Sequence, residues 1–247
     1  MEPIKKYGLS FYEMAPDRSD DAYLAAKRLL ENLFFLLSKL STKFCNEKYD
    51  FCDMPYTYTE RRLDSVLLPA LSKICDSLVL TELPVDRKLK GDLFKGRIDY
   101  WCIYEGYSFI IELKQSYDDF ETTTTRKNSI QKRWKTMIEQ LDSVKSEARA
   151  YEEKTKGVIR IGIHMITSYT SKVPTQELVV GFNKEKIFEI AQRFQKDISK
   201  KTPAHKTDLL LCWKIPPRIV KSNDYMTFPA LWLAATIYPP IIHAGIK

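Results

Sequence analysis

A chain of 247 residues that is 44% hydrophobic, 29% charged and 12% aromatic carries enough apolar side chain for one sizeable core, or two small ones. Its eight glycines and even composition exclude a collagen-like, low-complexity or wholly disordered polymer. The 39 basic against 32 acidic residues give a net charge of +7, which suits a polyanionic partner without requiring one.

The first twenty residues are polar and hold no apolar signal core. Asp20 and Asp21 can start a helix whose apolar positions, Leu24 through Leu40, recur at helical spacing. Asn46 to Pro55 reads as a turn-rich connection. A second helical stretch runs from about Thr59 to Asp76, with Leu63, Val66, Leu67, Ala70, Leu71 and Ile74 on one face. Pro69 lies inside it, which predicts a kink or two short helices meeting there. Three strands follow, Leu78–Val85, Ile98–Tyr104 and Ser108–Lys114, the last two apolar on both faces as buried strands are. A polar loop is predicted over Gln115–Asn128. Ser129 then caps an amphipathic helix with Ile130, Trp134, Met137, Ile138, Leu141 and Val144 inward. A strand over Ile159–Ser168, a helix over Lys184–Asp197 and a strand over Asp208–Trp213 complete the alternation, which argues a mixed α/β domain.

Tyr225 to Ile246 holds no Asp, Glu, Lys or Arg, but prolines bracket only Ala230–Tyr238. As helix that is about 14 Å, too short for a bilayer core of about 30 Å, so it reads as a buried closing element of a soluble protein. The five cysteines (Cys45, Cys52, Cys75, Cys102, Cys212) are odd in number and form no CxxC pair. Free thiols in a reducing cytoplasm are the expectation, rather than disulfides or a zinc site.

The informative stretch runs from Gly96-Arg97-Ile98-Asp99 to Glu112-Leu113-Lys114. Of three acid-x-Lys triplets, only Glu112-Leu113-Lys114 ends an apolar strand, where charges need pairing or a metal ion. If Glu105-Gly106 is a two-residue turn, counting back along both strands sets Asp99 directly opposite Glu112, with Cβ atoms about 5 Å apart. Opposed carboxylates repel unless a cation lies between them. A hard divalent metal resolves that conflict, and oxygen donors with no His or Cys favour Mg²⁺. The structural alternative carries comparable weight: Glu112 pairs with Lys114 or Arg97 in a buried salt-bridge network.

These residues resemble the PD-(D/E)XK nuclease superfamily: Ile98-Asp99 and Glu112-Leu113-Lys114, twelve residues between the acids, and a preceding helix bearing Glu60. Ile98 stands where the motif has proline. The resemblance covers about Thr59 to Ser168 and implies a restriction-endonuclease-like αβββαβ core. That core would occupy residues 58–168 of a single domain, between a helical extension (1–57) and C-terminal helix and strands (169–247). It further implies that Asp99, Glu112 and the Leu113 carbonyl bind Mg²⁺, with Mn²⁺ as a substitute, and that Lys114 holds or helps deprotonate the attacking water. Glu60 would complete the metal site directly or through water. The implied activity is Mg²⁺-dependent hydrolysis of DNA, more than RNA, in defence or processing; a non-catalytic nucleic-acid-binding or assembly protein of the same fold is the rival, and a partner subunit or homo-oligomer is left open.

Glu60 lies about 60° from Leu63 on the helical wheel, at the edge of the apolar stripe and so aimed toward the sheet; it can also be a helix-start carboxylate after Thr59, with Glu82 competing for its role. Gln140 sits at the border of an apolar face, either near the site or merely solvated. Two basic clusters flank the motif: Arg126, Lys127, Lys132, Arg133 and Lys135, and Arg87, Lys88, Lys90, Lys95 and Arg97. They suit phosphate contacts on either side of a cleft, or form solvated charged faces. His164 reads as a satisfied strand residue.

Overall fold

The computed structural model describes residues 8–14, 17–46, 51–76, 79–89, 92–120, 127–144, 155–171, 183–202, 205–216 and 227–241. Leu9–Glu13 is a short strand (β1) inside the stretch read as merely polar. Asp20 caps the helix Asp21–Ser41 (α1), its carboxylate accepting from the Tyr23 amide at 2.9 Å. The face with Leu29, Leu30, Leu33, Phe34 and Leu37 is buried, as the spacing predicts. Cys45–Asn46 (β2) and Phe51–Cys52 (β3) then form a small antiparallel pair that sets Cys45 opposite Cys52. Cys45 is disulfide-bonded, which corrects the expectation of free thiols throughout; Cys75, Cys102 and Cys212 are free. Antiparallel pairing brings opposed positions close, and a two-residue strand is too short to show in periodicity.

Glu60–Ile74 (α2) runs as one helix through Pro69, in place of two short ones. Its inward face of Leu63, Val66, Leu67, Ala70 and Leu71 stays buried, so packing outweighs the amide bond that proline removes. Leu80–Leu89 (β4), Asp92–Tyr104 (β5) and Tyr107–Asp119 (β6) follow, then Lys127–Ser143 (α3), Val158–Thr170 (β7), Lys184–Lys201 (α4), Leu209–Lys214 (β8) and Thr227–Ile237 (β9). Seven strands form one mixed sheet in the order β1-β8-β9-β7-β6-β5-β4, parallel only between β6 and β7. One core packs α1 and α2 on one face, and another packs α3 and α4 on the other.

Two expectations are corrected here. The loop expected from Gln115 is strand as far as Asp119, because β6 keeps pairing with β7 from Gln115–Met165 to Asp119–Tyr169. Its buried polar side chains have partners there, Ser116 on His164 and Asp118 on Arg193. Ser129 lies inside α3 rather than capping it, since the helix already starts at Lys127. Within the uncharged C-terminal stretch, Thr227–Ile237 is the strand β9, wholly buried between β7 and β8, the buried closing element expected there. Among the described residues no helix is long and apolar enough to cross a membrane.

Candidate active site

Glu105 and Gly106 have φ of 50° and 78°, the left-handed pair that a type I′ turn requires. The turn fixes Tyr104 opposite Tyr107 and carries the register inward to Tyr100 opposite Ile111. There the pairing stops. β5 goes on with β4 as far as Asp92, while β6 goes on with β7 as far as Asp119. Asp99 and Glu112 occupy the next position on that register, at the point where the strands part.

Beyond the split, amides on the open edge of β6 have lost their strand partner and need other acceptors. Carboxylates supply them. The Leu113 amide donates to Asp99 Oδ2 at 2.6 Å, and the Gln115 amide to Glu60 Oε2 at 3.2 Å. The first residue of α2 is therefore docked on the sheet and faces the site, as the helical wheel predicts. Lys114, nearly buried, donates from Nζ to the Leu113 carbonyl at 2.6 Å; it lies 3.5 Å from Glu60 Oε1 and 3.9 Å from Asp99 Oδ2. An ammonium thus stands among three of the oxygens expected to bind metal.

Glu112 is fully buried, and its Oε1 accepts from the Arg87 guanidinium. The same guanidinium donates to the Arg97 carbonyl, to the Gln140 carbonyl at 2.6 Å and to Ser143 Oγ at 3.2 Å. Two expectations change here. Arg87 is not an exposed phosphate contact, and it, rather than Lys114 or Arg97, is the cation paired with Glu112. The signal was present in the alternation of β4, where Val85 and Arg87 are buried between exposed Pro84, Asp86 and Lys88. Glu112 Oε2 has no hydrogen-bond partner.

Burial pushes the Glu112 carboxyl up to about 7; the neighbouring Asp99 charge adds to the rise and Arg87 opposes it. Burial likewise raises Asp99 and Glu60, and in both Lys114 is the main opposing influence. Among the described residues no three His, Cys, Asp or Glu side chains converge as a metal-holding set. The remaining donors are the Asp99–Glu112 pair and the Leu113 carbonyl, of which Asp99 already accepts from the Leu113 amide and the carbonyl from Lys114, while Glu60 is engaged by Lys114 and the Gln115 amide. A buried, unpartnered carboxylate oxygen next to a second carboxylate fits a hard divalent cation.

The other predicted residues disperse. Glu82, at φ 53°, interrupts the β4–β5 ladder beside Asp99, but its exposed carboxylate takes Arg97 at 3.4 Å. It reaches Asp99 only as a charge that raises the latter's pKa. The Gln140 side chain is not brought into the cluster: its carbonyl binds Arg87 and its Oε1 is buried without a partner. Lys132 and Arg133 are exposed on α3. Arg126 lies outside the described residues, as does the side chain of Lys127. His164 is buried and its Nε2 meets Ser116 Oγ at 2.8 Å, while Nδ1 has no partner, so it is half satisfied. No protein-family model and no curated protein matches the chain.

Proposed function

We propose that this chain is a Mg²⁺-dependent nuclease hydrolysing nucleic-acid phosphodiester bonds, DNA in preference to RNA, on a restriction-endonuclease-like core. The order α2-β4-β5-β6-α3-β7 agrees with the αβββαβ order that the motif resemblance implies. One observation carries the reading: at the split between β5 and β6, Asp99, Lys114 and the unpartnered oxygen of Glu112 meet in desolvated surroundings. Asp99, Glu112 and the Leu113 carbonyl would hold the ion, with Glu60 acting through Lys114 or water. When bound, the ion supplies a Lewis acid and a water of lowered pKa. Lys114 is placed to hold the attacking water or to stabilise negative charge growing on the phosphate. Asp99 fixes the Leu113 amide where the strands part. Exposed Lys132, Arg133 and Arg97 would contact backbone phosphates.

A second reading, a non-catalytic nucleic-acid-binding or assembly protein, is favoured by the charge balance. Arg87 and Lys114 already offset two of the three carboxylates. Incubation with plasmid, linear and single-stranded DNA, with and without Mg²⁺, separates the two. Mg²⁺-dependent cleavage abolished by Asp99→Ala supports the nuclease; DNA binding without cleavage supports the rival.

A further inference from the structure

Among the described residues the buried lysine and arginine side chains are Lys114 and Arg87, and Arg87 has no part in the chemistry above. Its guanidinium reaches acceptors on three other elements: Glu112 on β6, the Arg97 carbonyl on β5, and Gln140 and Ser143 on α3. The side chain gets there by crossing Gly96. A Cβ built on Gly96 would fall on Arg87 Nε and Cδ, so only glycine leaves the slot open. Gly162, beside Glu112 in the β6–β7 register, has Met137 of α3 where its own Cβ would be. That close approach brings the α3 acceptors within reach.

The manner of pairing is informative. A guanidinium and a carboxylate left to themselves tend to form two parallel bonds, fork to fork. Here the fork is turned: Arg87 takes Oε1 of Glu112 and donates elsewhere to carbonyl and hydroxyl oxygens, and Oε2 is left without a partner. A planar group held at four acceptors cannot swing to take the second oxygen. The geometry points to Arg87 as a positioning residue, seated by Gly96, that pins the Glu112 carboxylate by one oxygen and presents the other for a single divalent ion. This rests on the metal-site reading above.

Mn²⁺ binding to the intact chain, followed by the paramagnetic resonance signal of the free ion, tests it without reference to cleavage. Wild type is expected to bind one Mn²⁺. Arg87→Gln removes the clamp and Gly96→Ala displaces it while keeping its charge; both should bind roughly ten- to a hundredfold more weakly, the usual effect of losing a group that orients a metal ligand. Arg87→Lys, which keeps a cation beside Oε1, should recover part of the loss. Circular dichroism establishes that each variant compared is folded, and Gly96→Ala and Arg87→Lys carry the test if Arg87→Gln is not. Wild-type affinity in the folded variants overturns the role of Arg87 alone. Tighter binding in Arg87→Gln also overturns it, by showing a competing cation. A wild type that binds no Mn²⁺ overturns the metal site and this inference together.

Discussion

The Arg87–Glu112 pair should reveal itself in stability before any chemistry is measured. Arg87→Met leaves a fully buried carboxylate without its cation, a change that costs about 3–5 kcal/mol. The Arg97 and Gln140 carbonyls and Ser143 lose a donor as well, which argues for the upper end. At about 2–4 °C per kcal/mol for a chain of this size, the melting temperature should fall by roughly 10–20 °C. In the double variant Arg87→Met/Glu112→Leu both charges are gone, and much of the loss should return, leaving a deficit of about 1–3 kcal/mol from the stranded acceptors. Equilibrium unfolding followed by tryptophan fluorescence measures all corners of the cycle. The sign of the pH dependence is fixed. The folded carboxyl is raised to about 7 from its ordinary 4.5, so the folded state holds the proton more tightly between those values. Its contribution is full below about 4.5 and is lost as pH climbs through about 7. Without Arg87 the carboxyl rises further, so the deficit of the single variant should be larger at pH 8 than at pH 5. Additive costs, with coupling below about 0.5 kcal/mol, would refute the pairing.

Lys114→Ala should abolish cleavage while leaving DNA affinity near wild type, because one phosphate contact is a small share of the electrostatic total; equal loss of both would make Lys114 a mere phosphate clamp. Exchanging Lys132 and Arg133 for Gln should weaken binding across sequences and reduce the salt slope by about 1 for each phosphate contact removed; an unchanged slope would mean α3 does not face the nucleic acid. His164 should stay neutral far below its ordinary range, since burial lowers it to about 3. Its contribution to stability is therefore full above about 6.5 and lost as pH falls toward 3, and an imidazole resonance that titrates near 6.5 would contradict its burial.

What the sequence makes legible follows how far each feature is fixed locally. The Glu105-Gly106 turn is a local device, and its register carries Asp99 to Glu112 without any knowledge of the rest of the sheet. Helical spacing is local too, and it turned Glu60 of α2 toward the sheet although Pro69 lies further along. Nothing local marks where β6 ends. Its polar residues Ser116 and Asp118 look like a loop until β7 and α4 supply His164 and Arg193. β1 is equally hidden, since one buried and four half-buried residues become a strand only because β8 offers an edge.

The candidate site shows the same division within a few residues. Asp99 and Glu112 can be placed by counting from a turn, whereas Arg87 reaches Glu112 diagonally, across Gly96 and toward α3, and no spacing rule encodes that path. The same geometry explains why acids occupy the split at all. A strand that loses its neighbour exposes amides in alternation, and Asp99 and Glu60 answer two of them at Leu113 and Gln115. An Asn or Ser could answer an amide as well, but neither would hold Lys114 in place by charge. Structure alone thus accounts for acceptors at these positions, while the buried ammonium between Asp99 and Glu60 accounts for their charge. With its carboxyl raised to about 7, Glu112 can share a proton with Asp99 when no ion is bound, and it is at its oxygen that meets neither an amide nor a cation that a bound ion has its place in the proposal.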